Sequence, residues 1–337
     1  MRKGFVFGKF LPFHKGHEAM IRFAQTQCDF LLVLICVSNK EDISGSIRYD
    51  WMTKTFEKER NIEVRLFNYK EEELPNSSES SEEISKIWAD VFSRTLPDYE
   101  LLVSSEPYGD YVAHYMKILH IPFDPGRKIV PISASAIRGN LVDYWKFLPV
   151  AVKPYFTIKV VILGTESTGK TTLTQKLATH FQCTEVKEAG RDLIENSNDF
   201  EFSDLEKVAV EHARRIQNAM MGNHPLIFID TDIHITQSYA RFVFGQSLET
   251  ESSIYQANKA NLYLYLDKDA PFIQDGTRME ESQRNLLDES HRSILKEAGI
   301  NYTIIRGNWE ERYKESIISI ENLLKQTRGF QTGKNEA

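Results

Sequence analysis

Ile158-Lys159-Val160-Val161-Ile162-Leu163 runs directly into Gly164-Thr165-Glu166-Ser167-Thr168-Gly169-Lys170-Thr171. The first six residues have the length and apolar character of a buried strand. The next eight fit GxxxxGK[ST], and residues 170–181 behind them have helical spacing. A strand, a glycine-containing loop and a helix in that order are the setting in which this pattern binds phosphate. Backbone N–H groups of such a loop form an anion nest, the lysine neutralises the β- and γ-phosphates and the hydroxyl ligates Mg²⁺. The expected cradle is therefore Gly164, Thr165, Glu166, Ser167, Thr168, Gly169, Lys170, Thr171 and Thr172, with ATP and Mg²⁺ as the implied ligands.

Strand-like runs follow at 184–186, 226–230, 262–266 and 302–305, alternating with helical patterns at 203–221, 233–244, 281–297 and 309–325. The same alternation precedes the loop. Strands are expected at 4–7, 31–37, 62–67, 101–104 and 128–131, and helices at 17–27, 47–59, 84–96 and 111–119, with Ser46 as the cap of the second. Regular strand–helix alternation predicts parallel sheets with helices on both faces. The 337 residues allow two domains of common size. Pro149 and Pro154 interrupt both patterns, so the expected fold class is α/β, with domains over 1–150 and 157–327.

Composition narrows the functions. Net charge is −7, which gives no support for nucleic-acid binding. Cys28, Cys36 and Cys183 lack CxxC spacing and read as reduced packing residues, neither zinc ligands nor a disulfide framework. Lys9, His14, Lys15 and His17 interrupt the N-terminal apolar run, so no signal peptide forms, and no run is long enough to span a membrane. A cytoplasmic location is expected. The acidic, serine-rich stretch 70–85 reads as a solvated loop.

The first strand leads into Gly8-Lys9-Phe10-Leu11-Pro12-Phe13-His14-Lys15-Gly16-His17. Two histidines then stand beside a helix N-terminus at the carboxyl end of a strand, where parallel sheets bind ligands and helix N–H groups favour phosphate. Gly8 and Gly16 permit close backbone approach. The plainer reading of either histidine alone is a capped or part-buried side chain; no carboxylate or HExxH pattern supports a metal site. About 115 residues on comes Ile132-Ser133-Ala134-Ser135-Ala136-Ile137-Arg138. Its hydroxyls suit helix capping, and its guanidinium can clamp phosphate as a planar fork. Glu106, Tyr108 and Gly109 follow another expected strand, again at a strand's carboxyl end, where a Pro/Gly turn is the plainer reading.

Three segments accompany the phosphate loop. Glu188-Ala189-Gly190-Arg191 offers either a base for a hydroxyl nucleophile or an ordinary Glu–Arg pair. Leu226–Asp230 ends in a carboxylate suited to Mg²⁺ or a substrate hydroxyl, and Asp232 suits a helix cap. Asp275-Gly276-Thr277-Arg278 and Arg284 suggest a lid bearing arginines, or a surface loop.

The HxGH and ISxSxIR-like motifs, in this order, resemble the nucleotidyltransferase superfamily over residues 1–149. Joined to a phosphate-loop kinase pattern with EAGR, DTD and DGTR segments, the chain resembles the NadR-type bifunctional family over residues 1–325. That resemblance implies ribosylnicotinamide kinase joined to nicotinamide-mononucleotide adenylyltransferase. Nicotinamide riboside, nicotinamide mononucleotide, ATP and NAD are then the small-molecule partners, with no nucleic acid or membrane partner and a homo-oligomer left open. It assigns His14 and His17 to the transferring phosphates, and Ser133, Ser135 and Arg138 to the outgoing ones. Gly8, Lys9, Phe10, Glu106, Tyr108 and Gly109 would lie along the nucleotide. It assigns Lys170 to the kinase phosphates, Glu188 to base or hydroxyl orientation, Asp230 to ribose or metal, and Arg278 and Arg284 to the lid. Trp88 is the candidate for stacking on nicotinamide in the first half.

Two departures from the family pattern stand out. Pro271-Phe272-Ile273 replaces a frequent Trp before DGTR, leaving Phe272 to stack. The first strand starts at once, without the helix-turn-helix domain of some members, so no transcriptional role is expected. The alternatives are another phosphate-ester acceptor, such as nicotinate mononucleotide, or a nucleotide sensor with little turnover.

Overall fold

In the computed structural model, which describes residues 1–76, 81–194, 199–269 and 280–328, the chain divides into two compact units, Met1–Lys153 and Pro154–Ala337. The first unit runs β1 (Lys3–Gly8), α1 (Lys15–Gln25), β2 (Phe30–Ser38), α2 (Gly45–Thr55), β3 (Ile62–Tyr69), α3 (Glu82–Thr95), β4 (Leu101–Ser104), α4 (Tyr108–Met116), β5 (Leu119–Pro122) and α5 (Ala134–Gly139). Short turns α6 (Leu141–Tyr144) and α7 (Lys153–Phe156) lead out of it. Its strands are all parallel, in the order β3-β2-β1-β4-β5. The order reverses between β1 and β4, which opens a crevice at the carboxyl ends of those two strands.

One layer of the core joins Phe5, Leu32 and Leu34 of the sheet to Trp88 and Phe92 of α3 and Val112 of α4. Trp88 therefore differs from the expected stacking platform. Its ring packs against Phe7 at 6.2 Å and Phe92 at 5.4 Å, and its indole N–H donates to the Pro75 carbonyl at 3.0 Å. Burial of a large aromatic with a satisfied N–H is the more favourable use of that side chain.

Three further details differ from expectation. The fifth strand is β5, not residues 128–131. The Asp124 carboxylate takes the N–H groups of Lys128, Ile129 and Val130 at 2.7–3.2 Å and holds that stretch as a loop. α4 stops early because Lys117 turns left-handed at φ 58°, which frees Leu119 to pair with Leu101. Ser44, two residues before the expected Ser46, caps α2 by accepting from the Ile47 N–H.

The second unit contains β6 (Ile158–Leu163), α8 (Lys170–His180), β7 (Thr184–Val186), α9 (Gly190–Leu193), α10 (Phe202–Met220), β8 (Leu226–Asp230), α11 (Ile233–Phe244), α12 (Ser252–Asn258), β9 (Leu262–Leu266), α13 (Glu281–Glu297), β10 (Thr303–Ile305) and α14 (Trp309–Arg328). Its parallel order is β10-β9-β6-β8-β7. All six residues of β6 are buried. Val160 and Ile162 face Leu173, Leu177 and Ile320; Val161 and Leu163 face Ile216, Ile235 and Leu295. Covering both faces is why these strands are continuously apolar and not alternating. Among the described residues no helix is long and apolar enough to cross a membrane, and the three cysteines are free.

Candidate active sites

At the end of β1, His14 is the N-cap of α1. Its Nδ1 accepts from the Gly16 and His17 N–H groups at 3.1 and 3.3 Å. A nitrogen that accepts twice carries no hydrogen, so the neutral ring keeps its proton on Nε2, as a donor. Burial, and next the Arg127 guanidinium, push its pKa down to about 4. His17 stacks on it with ring centroids 3.6 Å apart, and burial, His14 and Arg127 lower its pKa well below the ordinary value. Both rings are therefore neutral hydrogen-bonding groups at pH 7. Gly16 is needed for this packing, since a methyl there would lie 3.0 Å from the His14 ring and 3.4 Å from Ile132.

The second motif reaches the same place. Arg138 donates from Nη1 to the Leu11 carbonyl and from Nη2 to the Ser135 hydroxyl at 3.1 Å. Ser133 caps α5 by accepting from the Ala136 N–H at 3.1 Å, the plainer of its two readings. At the neighbouring strand end, Glu106 pairs with Arg127 at 2.8 Å, and Tyr108 and Gly109 open α4. The segments that follow β1 and β4 and the 132–138 segment thus form one cluster, drawing together residues more than a hundred positions apart.

Gly8 ends β1, and Lys9 and Phe10 begin the loop to α1. The Lys9 ammonium lies 3.2 Å from both Glu41 and Glu71, and Phe10 packs edge-on to His17 at 5.0 Å. Arg48, which pattern reading passed over, is fully buried and ties this loop down. Its guanidinium donates to the Lys9 carbonyl at 2.6 Å and the Cys36 carbonyl at 3.2 Å, and pairs with Glu41 at 2.6 Å. Arg127 was also passed over. A DPGR turn suggests only a turn, and its approach to both histidines is a tertiary event.

In the second unit Gly164, Ser167 and Gly169 have positive φ of 140°, 59° and 86° in the loop between β6 and α8. The Thr165 carbonyl accepts from the Thr168 hydroxyl at 2.8 Å and from the Lys170 ammonium at 3.1 Å. The Thr171 hydroxyl donates to Asp230, and Tyr239 donates to Glu166 at 2.9 Å. Arg312, 1% exposed, anchors the loop from outside by donating to the Thr168 carbonyl at 2.9 Å and the Asp267 carbonyl at 3.0 Å. Trp309 lies so close that a methyl on Gly169 would come within 1.8 Å of its ring.

Behind the loop is a cavity of about 420 Å³. Lys170, Thr171, Thr172, Glu188 and Arg191 line it, and Ile194, Phe200, Leu205 and Val208 supply apolar wall. Glu188 lines the cavity and pairs with Arg191 at 3.1 Å, which is the plainer of its two expected readings. Asp230 is 1% exposed and its Oδ1 has no hydrogen-bond partner among the described residues. Burial, and next the Glu188 carboxylate, raise its pKa. Two nearby carboxylates with one oxygen unpartnered, beside the Thr171 hydroxyl, fit a hard divalent cation that takes part of its shell from a nucleotide. Among the described residues no group of three or more His, Cys, Asp or Glu forms a metal site by itself. Asp232 caps α11, accepting from the His234 N–H at 3.0 Å.

The lid expectation fares differently. Arg278, with Phe272 and the rest of the segment, lies outside the described residues. Arg284 is not an exposed lid residue but a helix residue of α13, 2% exposed, donating to the Lys268 carbonyl at 3.4 Å. Its own carbonyl accepts from the Thr165 hydroxyl at 3.4 Å, which sets it against the phosphate loop from within the fold.

Comparisons with known proteins bear on both units. A family model described as an AAA domain matches residues 159–312. The trifunctional NAD biosynthesis/regulator protein NadR of Salmonella typhimurium is 30% identical over 362 residues, taking in 97% of this chain and 84% of the relative. Two solved NadR structures are each 20% identical. One, in complex with NR, has a TM-score of 0.68 over 96% of both chains. The other, in complex with NAD and AMP-PNP, has a TM-score of 0.66 over 100% of this chain and 98% of that one. The solved structures establish a common fold, and the identity sustained along nearly the whole length establishes descent: the chain belongs to the NadR family.

Proposed function

We propose that this chain makes NAD in two steps, phosphorylating nicotinamide riboside and then adenylylating the resulting mononucleotide, with ATP as donor in both. The reading is supported by family membership. It is carried by one observation: in each unit a loop leads from the carboxyl edge of a parallel sheet into a helix N-terminus, at residues 14–17 in the first and at residues 164–171 in the second.

In the second unit Lys170 would draw charge from the outer phosphates, and Glu188 would orient the 5′-hydroxyl and take its proton as oxygen attacks the γ-phosphorus. Thr171 and Asp230 are the residues that would hold Mg²⁺, which supplies charge neutralisation between the phosphates. The 420 Å³ cavity has room for a riboside, with its apolar wall for a pyridine ring. In the first unit a phosphate oxygen of the mononucleotide attacks the α-phosphorus of ATP in line, and the bond to the bridging oxygen breaks to release pyrophosphate. His14 Nε2–H, His17 and Arg138 would stabilise charge that grows on the phosphates during transfer.

Incubation with ATP, Mg²⁺ and nicotinamide mononucleotide should yield NAD, followed by its enzymatic reduction; starting from the riboside should yield the mononucleotide first. No NAD from the mononucleotide, with turnover of another phosphate ester, would transfer the assignment to that acceptor. Binding of ATP and NAD with neither activity would point to a sensor.

A further inference from the structure

The riboside cavity contains two buried polar groups for which the chemistry above has no use. Leu205, Val208 and His212 of α10 lie three and four residues apart, on one face of the helix, and all line the cavity. Leu205 and Val208 join the apolar wall with Phe200. His212 comes a turn later, where its Nε2 lies 3.2 Å from the Thr231 carbonyl at the end of β8. A carbonyl can only accept, so Nε2 carries the hydrogen. Burial lowers the pKa of the ring, which leaves Nδ1 as a bare acceptor at neutral pH.

That Nδ1 is buried and has no hydrogen-bond partner among the described residues. The same is true of the Thr231 hydroxyl, on a residue that is 4% exposed and held in the left-handed region at φ 67°. Thr231 lines the cavity too. Protein interiors seldom leave such groups unpaired, and two of them on residues that line one cavity call for a ligand that supplies the missing bonds. Thr231 directly follows Asp230 in the chain, and from His212 the lining continues through Val208 and Leu205 along α10. A riboside reaching from the loop at Lys170 to the wall at Phe200 and Leu205 would pass its sugar between them, and a sugar hydroxyl can both donate to Nδ1 and exchange a hydrogen bond with Thr231.

We infer that His212 Nδ1 and Thr231 Oγ1 together hold a secondary hydroxyl of the acceptor's ribose, making the kinase selective for ribosides over deoxyribosides. This rests on the kinase reading given above. Losing a hydrogen bond to a buried acceptor would cost a deoxy substrate about ten- to a hundredfold in kcat/KM.

The test compares nicotinamide riboside with its 2′-deoxy and 3′-deoxy analogues in wild-type, His212→Gln and His212→Asn enzymes. Glutamine can still donate to the Thr231 carbonyl but offers no acceptor at the Nδ1 position; asparagine does the reverse. Wild type should disfavour at least one analogue by about tenfold or more. His212→Gln should lose most of that preference, and His212→Asn should keep it. Equal use of all three substrates by wild type overturns the inference, as does a glutamine variant that discriminates like wild type, which would make His212 a support for Thr231. The wild-type comparison decides even where a variant fails to fold. No phosphorylation of the riboside at all would instead remove the kinase reading on which the inference rests.

Discussion

Arg48→Met should cost the first unit about 3 kcal/mol. The guanidinium is fully buried and spends its donors on Glu41 at 2.6 Å and on the Lys9 and Cys36 carbonyls at 2.6 and 3.2 Å. Methionine fills similar space without charge. It leaves a carboxylate that is 6% exposed with the Lys9 ammonium at 3.2 Å as its remaining cation, and two carbonyls near strand ends without that donor. Breaking a buried pair from one side costs about 3–5 kcal/mol, and the surviving lysine contact favours the lower end. For a unit of this size about 3 kcal/mol lowers the midpoint by roughly 6–12 °C. A two-unit chain need not unfold in one step, so each half should be followed by its own activity after heating. NAD formation from the mononucleotide should fail at the lower temperature while riboside phosphorylation keeps its wild-type midpoint. Glu41→Leu combined with Arg48→Met removes the stranded charge and should recover part of the loss. A single variant shifted by less than about 2 °C, or a double variant less stable than the single, would refute the account of Arg48 as the anchor of this loop.

Other outcomes follow from the same geometry. Lys170→Ala should abolish riboside phosphorylation and leave NAD formation from the mononucleotide largely intact, and His17→Ala should do the converse; loss of both activities in either folded variant would argue for one shared site. Gly169→Ala combines φ 86° with a methyl 1.8 Å from the Trp309 ring, so kinase kcat/KM should fall at least about tenfold. Adding Trp309→Ala should restore only part, because the backbone strain stays, and full activity in Gly169→Ala would contradict this. Finally, His14 has a folded pKa of about 4 against 6.5 in the unfolded chain. Between those values the unfolded state takes up a proton that the folded state refuses, so stability falls as pH drops from about 6.5 towards 4, by about 3 kcal/mol from this group. The gap between denaturant midpoints at pH 7 and pH 5 should narrow in His14→Asn, which keeps the helix cap, while His17 keeps the rest of it open; an unchanged gap would remove His14 as a cause.

Much of the layout is local and was legible along the chain. β6, β8 and β9 show as apolar runs because a strand covered on both faces needs no polar alternation. GTESTGKT and HKGH are recognisable because a backbone that wraps an anion demands small residues and helix starts at set spacings. The fifth strand was misplaced because 119–122 and 128–131 are equally short and apolar. The choice fell to Asp124, whose carboxylate satisfies three amides of the second stretch, and to Lys117, whose left-handed turn releases the first.

The sequence by itself determined the two parallel sheets and the residue types at their carboxyl edges, since periodicity and loop chemistry act over a few residues. Only the tertiary structure decided what Arg48, Arg127, His212 and Arg312 do. Each is one polar residue in an unremarkable segment, and its work is a hydrogen bond or a field across the fold: Arg48 to Lys9, Arg127 on the two histidines, His212 to Thr231, Arg312 to Thr168. Burying Arg48, His212 or Arg312 is unfavourable unless a distant partner meets it, while Arg127 stays exposed and acts through its charge; no local pattern encodes where either kind of partner will be.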